Sequence, residues 1–144
     1  MLTKLRLIAA LVLWASFACV CAEERKPEAK QLDPKDPLSK FTEEDLADPG
    51  VAAQKFFEAI DGGDAEVIQA FLAEVPKHLD KLDLKKKEER AHFLKSYANY
   101  KGATVQRAQR IAAAGVAQIT YDLNGVEKTM RMQNVGGRWK YVGD

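Results

Sequence analysis

The sequence predicts an α+β domain, in which a helical hairpin and a third helix pack on a curved antiparallel β-meander of about four strands. Three observations carry that expectation. Apolar residues recur at helical spacing from Ala52 to Ala98, and beyond Ala117 the period changes from 3.6 to 2. Two glycine-bearing turns, Asn124-Gly125 and Gly136-Gly137, then separate the alternating segments.

The first helix begins at Asp48-Pro49. Asp48 can accept backbone N–H groups, and Pro49 suits the first helical position because its missing donor would be unpaired there anyway. Ala52, Phe56, Ala59 and Ile60 form one face, and Gly62-Gly63 ends the helix. Asp64 caps a second helix whose stripe is Val67, Ile68, Phe71, Leu72 and Val75, closed by Pro76. A third helix is expected over about Lys85 to Tyr100, with Ala91, Phe93, Leu94, Tyr97 and Ala98 on its buried side and Lys101-Gly102 as its stop.

In the meander, Ala117, Ile119, Tyr121 and Leu123 alternate with Gln118, Thr120 and Asp122. A two-residue Asn124-Gly125 loop sets Leu123 opposite Val126, Tyr121 opposite Lys128, Ile119 opposite Met130 and Ala117 opposite Met132. The Gly136-Gly137 turn sets Met132 opposite Tyr141 and Asn134 opposite Trp139. An earlier strand over about Ala103 to Ala113 is interrupted by Arg107 and Arg110.

Upstream, residues 1–22 read as a secretory signal peptide. Lys4 and Arg6 make a positive start, Leu7 to Val20 is uncharged and largely apolar, and Val20-Cys21-Ala22 supplies a small-residue cleavage site. The apolar run is shorter than the ~20 residues a transmembrane helix needs. Lipidation of Cys19 or Cys21 is the alternative, and it would anchor the chain to a membrane, although neither cysteine follows the usual lipoprotein pattern. Residues 23–47 are charged and contain Pro27, Pro34 and Pro37, which predicts a flexible linker, with a brief helical turn at Thr42-Glu43-Glu44-Asp45. The folded domain is then expected over 48–144.

Both cysteines fall in the signal segment, so the mature chain would have neither disulfides nor thiol chemistry. Removing Lys4 and Arg6 turns the formal charge from +1 to −1, which gives no overall field for nucleic acid. The cluster Lys81, Lys85, Lys86 and Lys87 is followed at once by Glu88 and Glu89, and reads as a solvated helix start. His78 and His92 lack a metal-ligand spacing, and no Ser-His-Asp order, phosphate loop or HExxH motif occurs. No cofactor is implied.

The segment Ala52-Ala53-Gln54-Lys55-Phe56-Phe57-Glu58-Ala59-Ile60 followed by Gly63-Asp64, together with the terminal Gly137-Arg138-Trp139-Lys140-Tyr141, resembles the nuclear-transport-factor-2-like superfamily of cone-shaped, cystatin-like α+β domains. That superfamily includes ketosteroid isomerase and the SnoaL-like polyketide cyclases. The nearest likeness is to small exported bacterial proteins with a lumazine-binding-like domain. The resemblance implies a ligand space between sheet and helices, for which Tyr97, Tyr121, Met130, Met132, Trp139 and Tyr141 are the candidates. A family cone usually has more strand than this chain shows, so a four-stranded sheet implies a shallow or filled pocket. The bland alternative is that these six residues are simply the core.

Isomerase chemistry would need an inward Asp or Glu beside a Tyr. Asp122 and Glu127 fall on the polar parity, and Asp61 and Asp64 lie at a helix junction where capping explains them. The first expectation is therefore an exported, secreted or periplasmic, non-catalytic domain that binds a small apolar ligand or an envelope protein. An isomerase- or cyclase-like enzyme and a module that homodimerises through its sheet are the alternatives.

Overall fold

The computed structural model describes residues 33–111 and 115–143. The expected signal peptide, residues 23–32 of the expected linker, and Ala112 and Ala113 of the first strand lie outside the described residues. Within them the chain is α+β. Helices α1 (Glu43–Ala47), α2 (Pro49–Gly62), α3 (Ala65–Phe71) and α4 (Lys87–Tyr97) are followed by a 3-10 turn (Ala98–Tyr100). Strands β1 (Thr104–Ile111), β2 (Val116–Leu123), β3 (Val126–Val135) and β4 (Arg138–Gly143) form one antiparallel sheet in the order β1-β2-β3-β4. The helices cover one face of it.

Helix α2 starts and stops as its sequence dictates. The Asp48 carboxylate accepts from Gly50 N–H at 2.8 Å and Val51 N–H at 3.0 Å, with Pro49 in the first turn. Gly63 adopts φ 66°, and its N–H donates to the Ile60 carbonyl at 3.2 Å while Asp64 N–H donates to that of Ala59 at 2.9 Å. A side chain at Gly63 would be strained in this left-handed conformation.

Helix α3 is shorter than its apolar stripe. Leu72 is extended, pairs with Tyr141 in a parallel bridge, and is followed by Ala73 N–H donating to the Tyr141 carbonyl at 2.8 Å. The sheet edge thus captures a residue that helical periodicity assigned to α3, and leaves Val75 beyond the helix, half-buried. Helix α4 also starts later than expected. The Asp83 carboxylate accepts from Lys85 N–H at 3.1 Å, and Asp83 N–H donates to Glu89 at 2.6 Å, so Asp83 to Lys86 form a turn before the helix. Ala91 and Ala98 are exposed; Phe93 and Tyr97 are the buried residues of α4.

The meander follows the register that its turns impose. Leu123 faces Val126, Tyr121 faces Lys128, Ile119 faces Met130 and Ala117 faces Met132. Met132 faces Tyr141, and Asn134 faces Trp139. Asn124 at φ 57° and Gly125 at φ 78° form the tight loop, which the Asp122 carboxylate braces by accepting Gly125 N–H at 3.1 Å. A bulge between Val105 and Arg107 explains why β1 shows no clean alternation. Past it, Arg107 faces Thr120 on the outer side, while Arg110 faces Ala117 on the helix side. Arg110 ends over the Trp139 ring at 5.7 Å and donates to the Ala47 carbonyl at 3.3 Å.

The expected linker boundary at residue 47 is corrected. Leu38 and Leu46 are buried, and Phe41 lies 5.8 Å from the Phe71 ring. Thr42 and Asp45 make a reciprocal capping box at the start of α1. Arg138 donates to Asp36 at 2.7 Å and to Glu43 at 2.9 Å, and Trp139 Nε1 donates to the Ala47 carbonyl at 2.9 Å. Burial alone would raise the Asp36 pKa, but the Leu38 backbone N–H and Arg138 together hold it below its ordinary 3.8. A segment of polar average composition is ordered here by two leucines, one aromatic ring and a bridging arginine. Replacing Leu46→Ala should therefore lower the unfolding free energy by ~2–5 kcal/mol, whereas Glu44→Ala on the exposed side should stay within ~0.5 kcal/mol. Urea denaturation of both variants distinguishes a packed segment, which gives that contrast, from a tether, which gives none.

Candidate functional site

The six residues expected around a ligand space come from four elements: Tyr97 from α4, Tyr121 from β2, Met130 and Met132 from β3, and Trp139 and Tyr141 from β4. All turn toward the helices. Tyr97, Tyr121, Met130, Met132 and Trp139 are buried, and Tyr141 is half-buried.

The space between them is occupied by α2. Phe56 stacks on Tyr141 with ring centres 5.1 Å apart and planes inclined by 16°. It also meets Tyr97 edge-on at 6.2 Å and Phe71 at 6.1 Å. Phe57 lies 5.1 Å from Tyr121, and Phe93 lies 5.3 Å from Tyr97. Trp139 belongs to a different neighbourhood, between the Ala47 carbonyl and the Arg110 guanidinium. The three candidate tyrosines therefore gather around Phe56 and Phe57, the tryptophan lies at the α1 end, and Met130 and Met132 lie in the sheet opposite Ile119 and Ala117.

Tyr100 is a member that the sequence reading missed. Its ring packs on Phe57 at 6.1 Å and on Tyr121 at 6.1 Å, and its hydroxyl shares a 2.8 Å hydrogen bond with that of Tyr141. The available signal was its spacing of three from Tyr97, which keeps both on one side of a continuing helix or 3-10 turn. All four tyrosines of the chain thus converge on two adjacent phenylalanines.

Burial, with Tyr141 close by, pushes the Tyr97 phenol up to about 12, so at neutral pH it is an uncharged phenol and not a base. Asp61 accepts Gly102 N–H at 2.8 Å. Asp64 accepts Val67 N–H at 3.3 Å and pairs with Lys40 at 2.8 Å, and these contacts outweigh burial to lower its pKa. Asp122 braces the hairpin, and Glu127, His78 and His92 are exposed. Among the described residues, no three His, Cys, Asp or Glu side chains are grouped so as to hold a metal ion.

Two surface clefts lie outside the aromatic cluster. One, of about 170 Å³, runs between α2 and α4 past Ile60, Leu94, Lys95 and Lys101. The other, of about 350 Å³, lies at Ile111, Gln118, Thr129, Met130 and Arg131. No family model, curated protein or solved structure matches this chain. The chemistry of the site therefore rests on its own residues.

Two outcomes follow from the filled cluster. Phe56→Ala should cost ~3–5 kcal/mol, whereas Tyr141→Phe, which removes one hydroxyl partner of Tyr100, should cost ~1 kcal/mol, both read by denaturant unfolding. Because the Tyr97 pKa is raised in the folded chain, its contribution to stability is complete below about 10 and is lost as pH rises toward about 12. Tyrosinate absorbance should show the Tyr97 phenol titrating late, and Tyr97→Phe should remove that component and flatten the fall in stability over that range.

Proposed function

We propose that this chain is an exported, non-catalytic interaction domain, and that its working surface is the outside of the fold. The observation that carries this reading is the occupied interior. Phe56 and Phe57 lie between the sheet and the helices, where the superfamily resemblance would imply a ligand, in contact with Tyr97, Tyr121 and Tyr141. A chain of this size commits its large aromatic side chains to one core. The carboxylates that an isomerase would need serve caps, turns and ion pairs instead.

Export is supported by Lys4 and Arg6, the apolar run Leu7 to Val20, and Val20-Cys21-Ala22. Among the described residues, no helix is long and apolar enough to cross a membrane.

Mass spectrometry of the chain expressed in a bacterium should find an N-terminus at Glu23 outside the cytoplasm. A lipidated Cys19 or Cys21 would replace release by anchoring, and an intact Met1 terminus would overturn export. For the interior, NMR titration with small apolar ring compounds should leave the ring signals of Tyr97, Tyr121 and Tyr141 in place. A compound that shifts them and is chemically converted, with conversion lost in Tyr97→Phe, would overturn the non-catalytic reading.

A further inference from the structure

The two edges of the sheet are treated differently. The edge of β4 is taken by Leu72, which bridges to Tyr141, and by Ala73 N–H, which bonds the Tyr141 carbonyl. The outer edge of β1 has no such strand beside it among the described residues.

The hairpin register shows which backbone groups that edge presents. Leu123 and Val126 flank a two-residue turn and exchange hydrogen bonds, so Tyr121, Ile119 and Ala117 direct their backbone groups at β3. Their partners on β1, namely Val105, Ala108 and Arg110, must then direct theirs away from the sheet. Val105 does so: its N–H donates to the Gln54 side chain at 3.0 Å. Ala108 and Arg110 remain as outward main-chain donors and acceptors on an exposed strand.

Charge decides what suits this edge. Strand β1 contains two arginines and no acid. Its outer face presents Arg107, Gln109 and Ile111 in sequence, with Arg131 two strands away, and Ile111 is 47% exposed. Among the described residues neither Arg107 nor Arg131 has an ion-pair partner. Antiparallel pairing with a second copy centred on Gln109, which joins the outward groups of Ala108 and Arg110, would set the two Arg110 side chains at diagonal positions on one face, a disfavoured juxtaposition. An acidic strand meets no such penalty.

Resting on the interaction-domain reading above, we propose that the free edge of β1 is a strand-addition site for an extended acidic segment of a partner protein. The segment takes main-chain hydrogen bonds from Ala108 and Arg110 and places, at alternate positions, an acid beside Arg107, a polar residue beside Gln109 and an apolar residue beside Ile111.

The test uses the 15N-labelled full chain and two capped heptapeptides, one for each strand direction, in which threonine alternates with glutamate, glutamine and valine. One peptide should slow amide exchange at Ala108 and Arg110 by about tenfold at ten times its Kd, leaving the Val105 amide, already bonded to Gln54, largely unchanged. Lysine in place of the glutamate should abolish the effect. Arg107→Glu, at an exposed position and checked for an unchanged melting temperature, should reverse the preference.

No protection in either direction at about 1 mM peptide, where even weak association registers, overturns the proposal. Sedimentation as a dimer with Ala108 and Arg110 already protected also overturns it, in favour of a second copy. Neither failure moves the tyrosine ring signals or the conversion of an apolar compound, which are the measurements that bear on the interaction-domain reading itself.

Discussion

Two adjacent side chains of α2, Phe56 and Phe57, join the layers of this domain. Phe56 touches Phe71 of α3, Tyr97 of α4, Tyr100 of the 3-10 turn and Tyr141 of β4, while Phe57 touches Tyr100 and Tyr121 of β2. Neighbouring residues on a helix point about 100° apart, so the pair spreads over a wide arc of the sheet–helix boundary. Each ring buries a large apolar area and meets its partners in tilted, edge-on or offset geometry, which adds to simple area burial. The rest of the core is arranged around that contact. Helix α4 is held at its Tyr97 end by Phe56 and tied nearer its start by Arg90, which donates to the Gly63 carbonyl at 3.3 Å.

The polar groups at the edge of this core follow from the same crowding. Tyr100 and Tyr141 bring hydroxyls into an aromatic environment, and their shared hydrogen bond reduces the cost of taking both from water. Trp139 meets the same requirement elsewhere, through the Ala47 carbonyl. That bond, with the Arg138 bridge to Asp36 and Glu43, fastens the chain upstream of α2 to the last strand. The N-terminal and C-terminal ends of the described residues therefore close the domain against each other. The cation–π contact of Arg110 with Trp139 extends this closure to β1.

Features determined by local chemistry were legible in the sequence. Asn124-Gly125 admits positive φ at both positions, so it fixed eight residues of register across β2 and β3, and Asp48-Pro49 with Gly63 bounded α2. Features determined by distant contacts were not. Nothing near Leu72 in the chain reveals that Tyr141 will draw it out of helix α3. Composition averages over 23–47 hid Leu38 and Leu46, whose burial depends on surfaces made by later residues. The bulge at Val105 to Arg107 shifted the parity of β1 midway, which erased the alternation that a strand reading relies on. At the candidate site the inward residues of the meander were readable one by one, because parity alone assigns a face. That Phe56 fills the space between them depends on where α2 lies, and the sequence pattern is silent on that.

The exposed strand is held at both ends. Gln54 bonds Val105 N–H near its start, and Arg110 near its finish is bound to the Ala47 carbonyl and packed over Trp139. Between those fixed points, the outward backbone of Ala108 is presented on a segment whose freedom was already lost on folding. A strand that is bare and mobile would have to be ordered as a partner arrived, and that cost would subtract from any affinity. A strand that is bare and fixed asks ordering only of the incoming segment. The same arginine that holds β1 in place also adds positive charge to its edge, so anchoring and discrimination against a second cationic edge come from one side chain.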